Sequence, residues 1–579
     1  MQGFASASPA CRCLALAIAL AAVGACSSTP GSGNAEQMGR SNGTASGGSR
    51  AGSGGSAASG GTSGSGGRTA SGTTGSGGII GSGGIIGSGG ARAGATGDSA
   101  DAGVDAGGTG GAGQRDDAGV TGGSGGAASG GSKAAGGATG TGGSTGAGGR
   151  SGSGGAGGPG SGAPGPCDIY QAASTPCVAA HSTVRALYGA YAGPLYQVQR
   201  ASDKATKDIP VGPSGFADTS VQDAFCTGTT CTIPVIYDQS PNGNHLRVTW
   251  FAYWLQNGGN PASATAAKIS VGGHRVYGIK SGTNVAYRTG APLAGTASIS
   301  KGSATVTFST AQTLPANTPL LFVANAKDCP SNSWPNSCNF KAYSTAAAVN
   351  GATTVTLTAP YSGTSSASTA VWNVGTKGIA TGDQAEAEYS VFDGKTFGQY
   401  CCFDYGNSEI SGIDEGNATM EAISWGADTQ FGQSGGGSGP WVAADIENGM
   451  YEGYENGSAK VPSNTSVTGF PYVTAMLKGL SAPDCPAGLT SSGCFALKAG
   501  NATTGKLAYK WNATTNNYGA RPPGYSPQKK EGAIILATGG DGSNTGVGIW
   551  FEGAMTMGAP GDATDDAVQA NIVAAGYGH

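Results

Sequence analysis

Two acidic residues lie two positions apart in the run Trp441–Asn448, in a sequence where only 11% of residues are charged. Alternate side chains share one face of an extended strand, so Asp445 and Glu447 would be neighbours there. Two ionised carboxylates at this spacing repel each other, which raises the pKa of at least one, as acid–base chemistry often needs. The alternative is a solvated pair on an outer strand face.

A third acid, Asp541, follows an apolar segment and lies between Gly540 and Gly542. Glycines let a substrate approach the backbone closely, so this turn could present the carboxyl group to a ligand. Asp541 could instead make local turn bonds. It could also join Ser543 and Thr545 in a calcium loop, but the ligand spacing is incomplete. We therefore expect no metal ion.

Two adjacent cysteines, Cys401 and Cys402, are the third unusual feature. Neighbouring Cα atoms are about 3.8 Å apart across a trans peptide bond, closer than in most disulfides. A bond between them would therefore form a strained, exposed ring, and this polarizable plate could pack on the face of a sugar. Alternatively, each cysteine pairs elsewhere.

The remaining cysteines indicate export, because small local disulfide loops suit an oxidising compartment. Ten cysteines allow many connectivities, and pairing between sequence neighbours is the simplest. The expected disulfides are Cys167 with Cys177, Cys226 with Cys231, Cys329 with Cys338, Cys401 with Cys402, and Cys485 with Cys494. The four histidines are scattered, which argues against a zinc site.

These residues lie in the second of two very different parts of the chain. Glycine accounts for 110 of 579 residues, and every aromatic residue except Phe4 lies at or after Tyr170. Residues 1–26 resemble a bacterial lipoprotein signal that ends at Cys26, the expected lipidation site. An ordinary secretory signal is the alternative. Residues 27–166 are rich in Gly, Ser and Ala and are expected to form a disordered linker.

Residues 167–579 have the pattern of an all-β domain, with short strands separated by Gly, Asn and Pro turns. Helices are expected at Val184–Tyr191, capped by Ser182, and at Asp562–Ala575. A net charge of −4 excludes a basic nucleic-acid groove. The expected strands are Thr232–Tyr237, Ala304–Ser309, Thr353–Thr358, Trp441–Glu447, Tyr472–Leu477, Ala533–Ala537 and Val547–Phe551.

A series of ordered motifs resembles family 54 of the glycoside hydrolases, the α-L-arabinofuranosidases of the B type. The motifs are spread over the whole of 167–579, so the resemblance is specific. They are Pro166–Tyr170, Thr175–Thr183, Gln222–Cys226, Ile236–Ser240, Gly243–Leu246, Cys401–Asn407, Met420–Ile423, Gly439–Trp441, Lys530–Leu536, Gly539–Asp541 and Ala567–Ala575.

The resemblance implies a jelly-roll or concanavalin-like β-sandwich and a glycosidase that retains anomeric configuration. Glu447 matches the family's nucleophile and Asp541 its general acid/base, with the two carboxyl groups about 5–5.5 Å apart. The disulfide between Cys401 and Cys402 would pack on the arabinose ring. Further sugar contacts map to Asp445, Asn448, Gly540, Gly542 and to Phe431, which stands where the family has a Trp.

The implied substrate is an arabinose-containing plant polysaccharide, and the implied enzyme is a monomer without a cofactor, attached to a membrane only through its lipid anchor. Residues 291–373 interrupt the family pattern, so we expect a small inserted β domain there. We also expect the family's C-terminal arabinose-binding module to be absent. The alternative function is a cell-surface carbohydrate-binding β-sandwich without activity.

Overall fold

The computed structural model describes residues 162–329, 340–428, 438–451, 467–510 and 518–579. The predicted signal, with Cys26, and nearly all of the predicted linker lie outside the described residues. Phe431 and Cys338 also lie outside them. The described part of the chain is mostly antiparallel β-sheet, which confirms the all-β prediction. Among its helices none has both the length and the hydropathy of a membrane span.

The described residues form three α-helices and 29 β-strands. The α-helices are α1 (Pro166–Ala172), α2 (Thr219–Phe225) and α3 (Asp562–Ala575). The strands are β1 (Cys177–Ser182), β2 (Pro194–Arg200), β3 (Thr206–Pro210), β4 (Cys231–Ile236), β5 (Leu246–Val248), β6 (Ala262–Ser263), β7 (Lys268–Val271), β8 (His274–Tyr277), β9 (Ile279–Lys280), β10 (Tyr287–Thr289), β11 (Ala291–Pro292), β12 (Ala297–Ile299), β13 (Thr305–Leu314), β14 (Pro319–Phe322), β15 (Tyr343–Ser344), β16 (Val349–Thr356), β17 (Ser366–Thr369), β18 (Val371–Asn373), β19 (Glu386–Asp393), β20 (Asp404–Ser408), β21 (Glu421–Gly426), β22 (Trp441–Asp445), β23 (Met450–Tyr451), β24 (Tyr472–Leu480), β25 (Cys494–Asn501), β26 (Leu507–Lys510), β27 (Gly519–Ala520), β28 (Ala533–Leu536) and β29 (Ile549–Met557).

Two large sheets share one hydrophobic core. Sheet I has the strand order β23-β22-β21-β20-β28-β10-β5-β4-β2-β3, and β6 pairs with β4. Sheet II has the order β1-β29-β19-β24-β25-β26, with β27 and β9 paired to β25 and β29. Aromatic side chains join the two sheets, because Tyr405 of β20 stacks on Trp550 of β29 with ring centroids 5.5 Å apart. Burial of such large side chains is the main stabilising contribution.

Sheet I turns one face of β22 into this core and the other towards the candidate site. Val442, Ala444 and Ile446 join the main core, as the alternation in the sequence predicts. Ala443, on the opposite face, packs instead with the two adjacent cysteines. The neighbouring strands β21, β20 and β28 continue the sheet beside β22.

A smaller unit is formed by β11 to β18. Its strands make two four-stranded sheets, with orders β11-β18-β14-β15 and β16-β13-β12-β17. Val306, Phe322 and Tyr361 belong to a core of its own. Alternating exposed and buried residues along β13 match the pattern of a sheet with one solvated face.

The prediction of a helix at Val184–Tyr191 is wrong. The Ser182 hydroxyl does accept hydrogen bonds from the backbone N–H groups of Val184 and Arg185, each at 3.0 Å. The next donors, however, go to distant partners: Ala186 N donates to Gly215 O at 2.8 Å. Long-range pairing therefore replaces the intrahelical bonds that the local pattern suggested. The predicted helix at Asp562–Ala575 is confirmed as α3.

Candidate active site

Glu447 lies in a tight turn after β22, not on the strand. The strand ends at Asp445, and Glu447 and Asn448 have left-handed φ angles of 64° and 56°. Asp445 Oδ1 accepts a hydrogen bond from Glu447 N at 3.1 Å, which holds this turn. The expectation that the strand extends through Glu447 is therefore wrong. The two carboxyl groups are still neighbours, because the turn brings them together.

Asp541 lies in the turn that follows β28. Gly542 N donates to Gly539 O at 3.1 Å and closes the turn. Both carboxyl oxygens of Asp541 accept a hydrogen bond: Oδ1 from Ser543 N at 2.9 Å, and Oδ2 from the indole Nε1 of Trp254 at 2.8 Å. The carboxyl group is thus held in one orientation. The local turn bond that we considered for Asp541 is present.

The flanking glycines bring the two acidic turns together. A Cβ atom added to Gly540 would lie 3.2 Å from Glu447 Oε2 and would collide with Glu409 Oε2. Gly542 has a φ of +86°, and a Cβ atom there would lie 2.5 Å from the Cβ of Ala252. Any larger residue at Gly540 would displace a carboxyl group, so glycine is needed where the turn of Asp541 passes Glu447. The expected separation between the Glu447 and Asp541 carboxyl groups stays a prediction.

The adjacent cysteines form a disulfide beside these carboxyl groups. Their peptide bond is cis, not trans as we assumed, and both residues are buried rather than exposed. Cys402 Sγ accepts a hydrogen bond from the Ser543 hydroxyl at 3.3 Å and lies 3.8 Å from Asp445 Oδ2. The disulfide therefore contacts both the turn of Asp541 and the end of β22.

The other expected disulfides are present where both cysteines are described. Bonds join Cys167 to Cys177, Cys226 to Cys231 and Cys485 to Cys494. Cys329 is disulfide-bonded, and the pairing with Cys338 stays a prediction because Cys338 lies outside the described part.

Two further carboxyl groups, Glu409 and Asp414, contact Glu447. Their carboxyl groups lie beside that of Glu447 and interact with it electrostatically. Burial raises the pKa of Glu447 well above its ordinary value, and ionisation of Glu409 or Asp414 raises it further. Asp414 Oδ1 also accepts a hydrogen bond from the Asn448 amide at 3.0 Å. The cluster therefore holds protons more tightly than separate carboxyl groups do.

The hydrogen bonds around Glu409 indicate a protonated side chain. Thr419 Oγ1 lies 2.6 Å from Glu409 Oε1 and 2.6 Å from Gly416 O. The hydroxyl group has a single proton, which it donates to the Gly416 carbonyl oxygen because that oxygen can only accept. The short contact between Thr419 Oγ1 and Glu409 Oε1 then requires a proton on the Glu409 carboxyl group. Burial raises the pKa of Glu409 to about 8, in agreement with this assignment.

A second carboxyl pair lies on β20 and β22. Asp404 is completely buried, and its carboxyl group lies within 4.8 Å of that of Asp445. Burial raises the pKa of Asp445 to about 7, although the neighbouring Asp404 lowers it. These two carboxyl groups lie close to the cysteine sulfurs. Sulfurs in a disulfide are not thiolates, so this group lacks the ligand set of a soft metal site.

Arg288 is the buried cation of the site. Its guanidinium donates to the backbone carbonyl oxygens of Glu409 and Gly540. Burial lowers the pKa of Arg288, and the nearby carboxyl groups oppose that effect. Arg288 thus joins the two site loops and supplies positive charge, and it has no direct ion pair with a carboxylate among the residues that the structure describes.

The sequence did not predict Glu409, Asp414, Asp404, Arg288 or Trp254 as site residues. Asp404 lies inside the motif Cys401–Asn407, and Glu409 lies two residues after it, so that motif was a usable signal for both. Trp254 had no such signal, because its contact with Asp541 joins residues far apart in sequence.

The comparisons agree with the motifs. The family model described as "Alpha-L-arabinofuranosidase B, catalytic" matches residues 166–313 and 324–578. The gap in this match, residues 314–323, lies inside the segment 291–373 that we predicted as an insert. The boundaries of the insert stay a prediction.

Curated and solved proteins from the same group are similar to the chain. It is 38% identical over 422 residues to alpha-L-arabinofuranosidase B of Aspergillus oryzae, and 38% identical over 421 residues to an arabinofuranosidase/B-xylosidase of Trichoderma koningii. Each alignment covers 72% of this chain and 63% of the relative, so the chain spans less than two thirds of their length.

Two solved structures are also similar to the chain. One is a GH54 α-L-arabinofuranosidase soaked with a cyclic sulfate inhibitor, with a TM-score of 0.52, 35% identity and coverage of 71% of this chain and 66% of that one. The other is an arabinofuranosidase in complex with arabinofuranosyl-α-1,2-xylobiose, with a TM-score of 0.52, 34% identity and coverage of 71% and 65%. The chain therefore belongs to the arabinofuranosidase B catalytic family, glycoside hydrolase family 54.

Proposed function

We propose that this protein is a retaining α-L-arabinofuranosidase, which releases terminal, non-reducing arabinofuranosyl residues from arabinose-containing plant polysaccharides. The observation that carries the proposal is the approach of the Asp541 turn to Glu447 across Gly540. Two carboxyl groups on opposite sides of one glycosidic bond are what this hydrolysis requires. The relative crystallised with arabinofuranosyl-α-1,2-xylobiose supports the substrate class.

In the first step Glu447 attacks the anomeric carbon, and Asp541 donates its proton to the glycosidic oxygen. The bond from the anomeric carbon to that oxygen breaks, and a covalent arabinosyl-enzyme forms. Glu447 must be ionised for this attack. A proton kept on Glu409 and the positive charge of Arg288 both favour that ionised form.

In the second step Asp541 removes a proton from water, and the resulting hydroxide displaces Glu447 from the anomeric carbon. Two inversions at that carbon give net retention. The donors on both oxygens of Asp541 keep the carboxyl group in position for both proton transfers.

Asp445 and the disulfide of Cys401 and Cys402 complete the sugar site. Asp445 adjoins Glu447 through the turn bond, so its free lone pairs are available to sugar hydroxyls. The disulfide provides an apolar, polarizable surface next to Asp445 for the sugar ring. Asn448 and Gly542 lie in the same two turns.

Hydrolysis of 4-nitrophenyl α-L-arabinofuranoside by the wild type, Glu447→Ala and Asp541→Ala tests the proposal. Both variants should lose activity, and azide should rescue Glu447→Ala with a product of inverted configuration. An inactive but folded wild type that still binds arabino-oligosaccharides would support the carbohydrate-binding alternative instead.

We also propose that the protein is exported and displayed on the outer membrane or cell surface through a lipid on Cys26, with 27–166 as a flexible stalk. We propose a jelly-roll or concanavalin-like arrangement for sheets I and II. The signal-like residues 1–26 and the disulfides support export. Cell fractionation of the full chain and of Cys26→Ala tests the anchor, since the variant should be released from membranes.

A further inference from the structure

Trp254 contacts the proposed acid/base directly and is still half exposed, with 50% of its surface accessible. Its indole Nε1 donates to Asp541 Oδ2 at 2.8 Å, and its backbone N donates to Asp541 O at 3.0 Å. An indole whose N–H is bound while its ring faces solvent is a typical platform for a ligand. Trp254 is therefore tied at two points to the residue that would protonate the leaving group.

The segment around Trp254 is held by aromatic contacts. Tyr253 packs edge-on against Trp254 with ring centroids 5.0 Å apart, and its backbone N donates to Gly412 O at 2.8 Å. Trp250 stacks on Trp372 of β18 at 5.1 Å, and Phe251 packs on Phe340 at 4.4 Å.

Trp372 and Phe340 belong to the stretch of chain that folds as the smaller β unit. Leu321 of that unit joins Phe251 and Tyr253 in one buried cluster. The Gln256 amide also donates to Cys329 O at 3.2 Å. The smaller unit thus packs directly behind the segment that carries Trp254.

The chemistry of the reaction indicates which part of the substrate would lie on the exposed ring of Trp254. The acid that protonates the glycosidic oxygen must lie beside that oxygen, so the sugar beyond it also lies on the Asp541 side. The apolar C–H face of a pyranose packs on an aromatic ring, and Trp254 offers such a ring in contact with Asp541.

We infer that Trp254 binds the sugar on the leaving-group side of the scissile bond and positions Asp541, and that the smaller β unit holds Trp254 in place. This inference rests on the proposed function and concerns its substrate specificity. It gives the segment 291–373 a role in selecting arabinose linked to a further sugar.

Two substrates separate these effects. α-L-Arabinofuranosyl fluoride has no leaving-group sugar, and its hydrolysis needs little proton donation. Arabinofuranosyl-α-1,2-xylobiose has a leaving-group sugar, and its hydrolysis needs a proton on the glycosidic oxygen. Trp254→Ala should raise KM for the trisaccharide about tenfold or more, the size expected for a lost ring contact. It should change kcat/KM for the fluoride by less than about threefold.

Trp254→Phe keeps a ring but removes the N–H donor to Asp541. It should lower kcat for the trisaccharide while KM stays close to the wild-type value, because only the positioning of the acid is lost. Trp372→Ala, in the smaller unit, should shift KM in the same direction as Trp254→Ala but less. Phe397→Ala is the matched control, since it removes another exposed ring, one that packs edge-on against Trp425.

The outcomes distinguish this inference from the proposed function. A wild type that hydrolyses neither substrate would contradict the proposed function itself. A wild type that hydrolyses both, with Trp254→Ala reducing both equally, would overturn the role of Trp254. Thermal unfolding of each variant shows whether a loss of folded protein accounts for the change.

Discussion

Two clusters of buried carboxyl groups differ in what neutralises them. Between the sheets, Lys530 Nζ lies 2.9 Å from Glu386 Oε1 and 2.7 Å from Glu421 Oε2. At the candidate site, Glu447 instead contacts Glu409 and Asp414, which are also acids. In the first cluster a lysine neutralises the carboxylates, whereas in the second cluster raised pKa values keep carboxyl groups protonated.

The position of each cluster explains the difference. Glu421 of sheet I faces Gly479 of sheet II, and a Cβ atom on Gly406 of sheet I would lie 2.7 Å from Glu388 Oε1 of sheet II. Glu386 and Glu421 need a permanent partner at such a closed interface, and Lys530 supplies it. At the site, a lysine between Glu447 and Asp541 would occupy the space of the sugar. Arg288 instead donates its hydrogen bonds to the backbone carbonyl oxygens of Glu409 and Gly540.

The largest effect expected is the loss of activity in Glu447→Gln. The amide cannot form the covalent intermediate, so kcat should fall at least about 10⁴-fold. Stability should not fall, because the change removes a buried carboxyl group whose ionised form is disfavoured by burial. Steady-state kinetics and urea unfolding measure the two properties. Glu421→Gln is the matched variant, and it should lose stability while the folded fraction stays active. If both variants changed kcat and the free energy of unfolding in the same way, the two clusters would not differ in function.

The next effect is on stability alone. Lys530→Met leaves Glu386 and Glu421 buried without a cation, which should cost about 3–5 kcal/mol of unfolding free energy at pH 7. Burial and the neighbouring Glu421 raise the pKa of Glu386 to about 7 even with Lys530 present. Below pH 4 Glu386 is protonated in both the folded and the unfolded chain, so the penalty should shrink there.

Urea unfolding at pH 7 and pH 4 tests this dependence. A carboxyl group with a raised folded pKa loses stability as pH rises from its unfolded value through its folded value, so the variant should weaken between about pH 4.3 and 7 or higher. A deficit that is the same at both pH values would indicate lost packing instead of unpaired charge.

Local sequence patterns were sufficient for the residues that lie within one turn. Asp541 between glycines, the apolar alternation of β22 and the helix α3 follow from spacing that neighbours in the chain enforce. The end of β22 was misplaced by two residues, because the bond from Glu447 N to the Asp445 carboxyl group competes with strand pairing.

Residues that reach the site from other parts of the chain could not be predicted in this way. Trp254 and Arg288 contact the turn of Asp541 across more than 250 positions of sequence. Their types alone are common in a β-domain core or surface, and only the folded arrangement gives them a role. The mistaken helix at Val184–Tyr191 has the same cause, since distant partners took its backbone donors.

A smaller effect is expected at the second carboxyl pair of the site. The neighbouring Asp404 carboxyl group lowers the pKa of Asp445, whose value is about 7. Asp404→Leu removes that polar group, so Asp445 should stay protonated to higher pH and bind sugar hydroxyls less well. KM at pH 6 should rise up to about tenfold, the equivalent of one pKa unit.

Asp404→Asn is the control for this change, because its amide keeps a polar group beside Asp445. It should keep KM within about threefold of the wild-type value. The pH dependence of KM between pH 5 and 8 measures both variants, and a KM that is raised equally in both would mean that the shape of Asp404, not its proton, matters.

The smallest effect separates Glu409 from Glu447. Glu409 holds a proton, as its hydrogen bonds indicate, so Glu409→Gln replaces one neutral group by another and should leave the pKa of Glu447 nearly unchanged. Glu447 must be ionised to attack, and the acid limb of kcat/KM should therefore stay within about 0.3 pH unit of the wild-type limb. Asp208→Asn, exposed on β3, is the control and should also leave the limb in place. A limb that moves to lower pH by about one unit in Glu409→Gln would mean that Glu409 is ionised and raises the pKa of Glu447 through its charge.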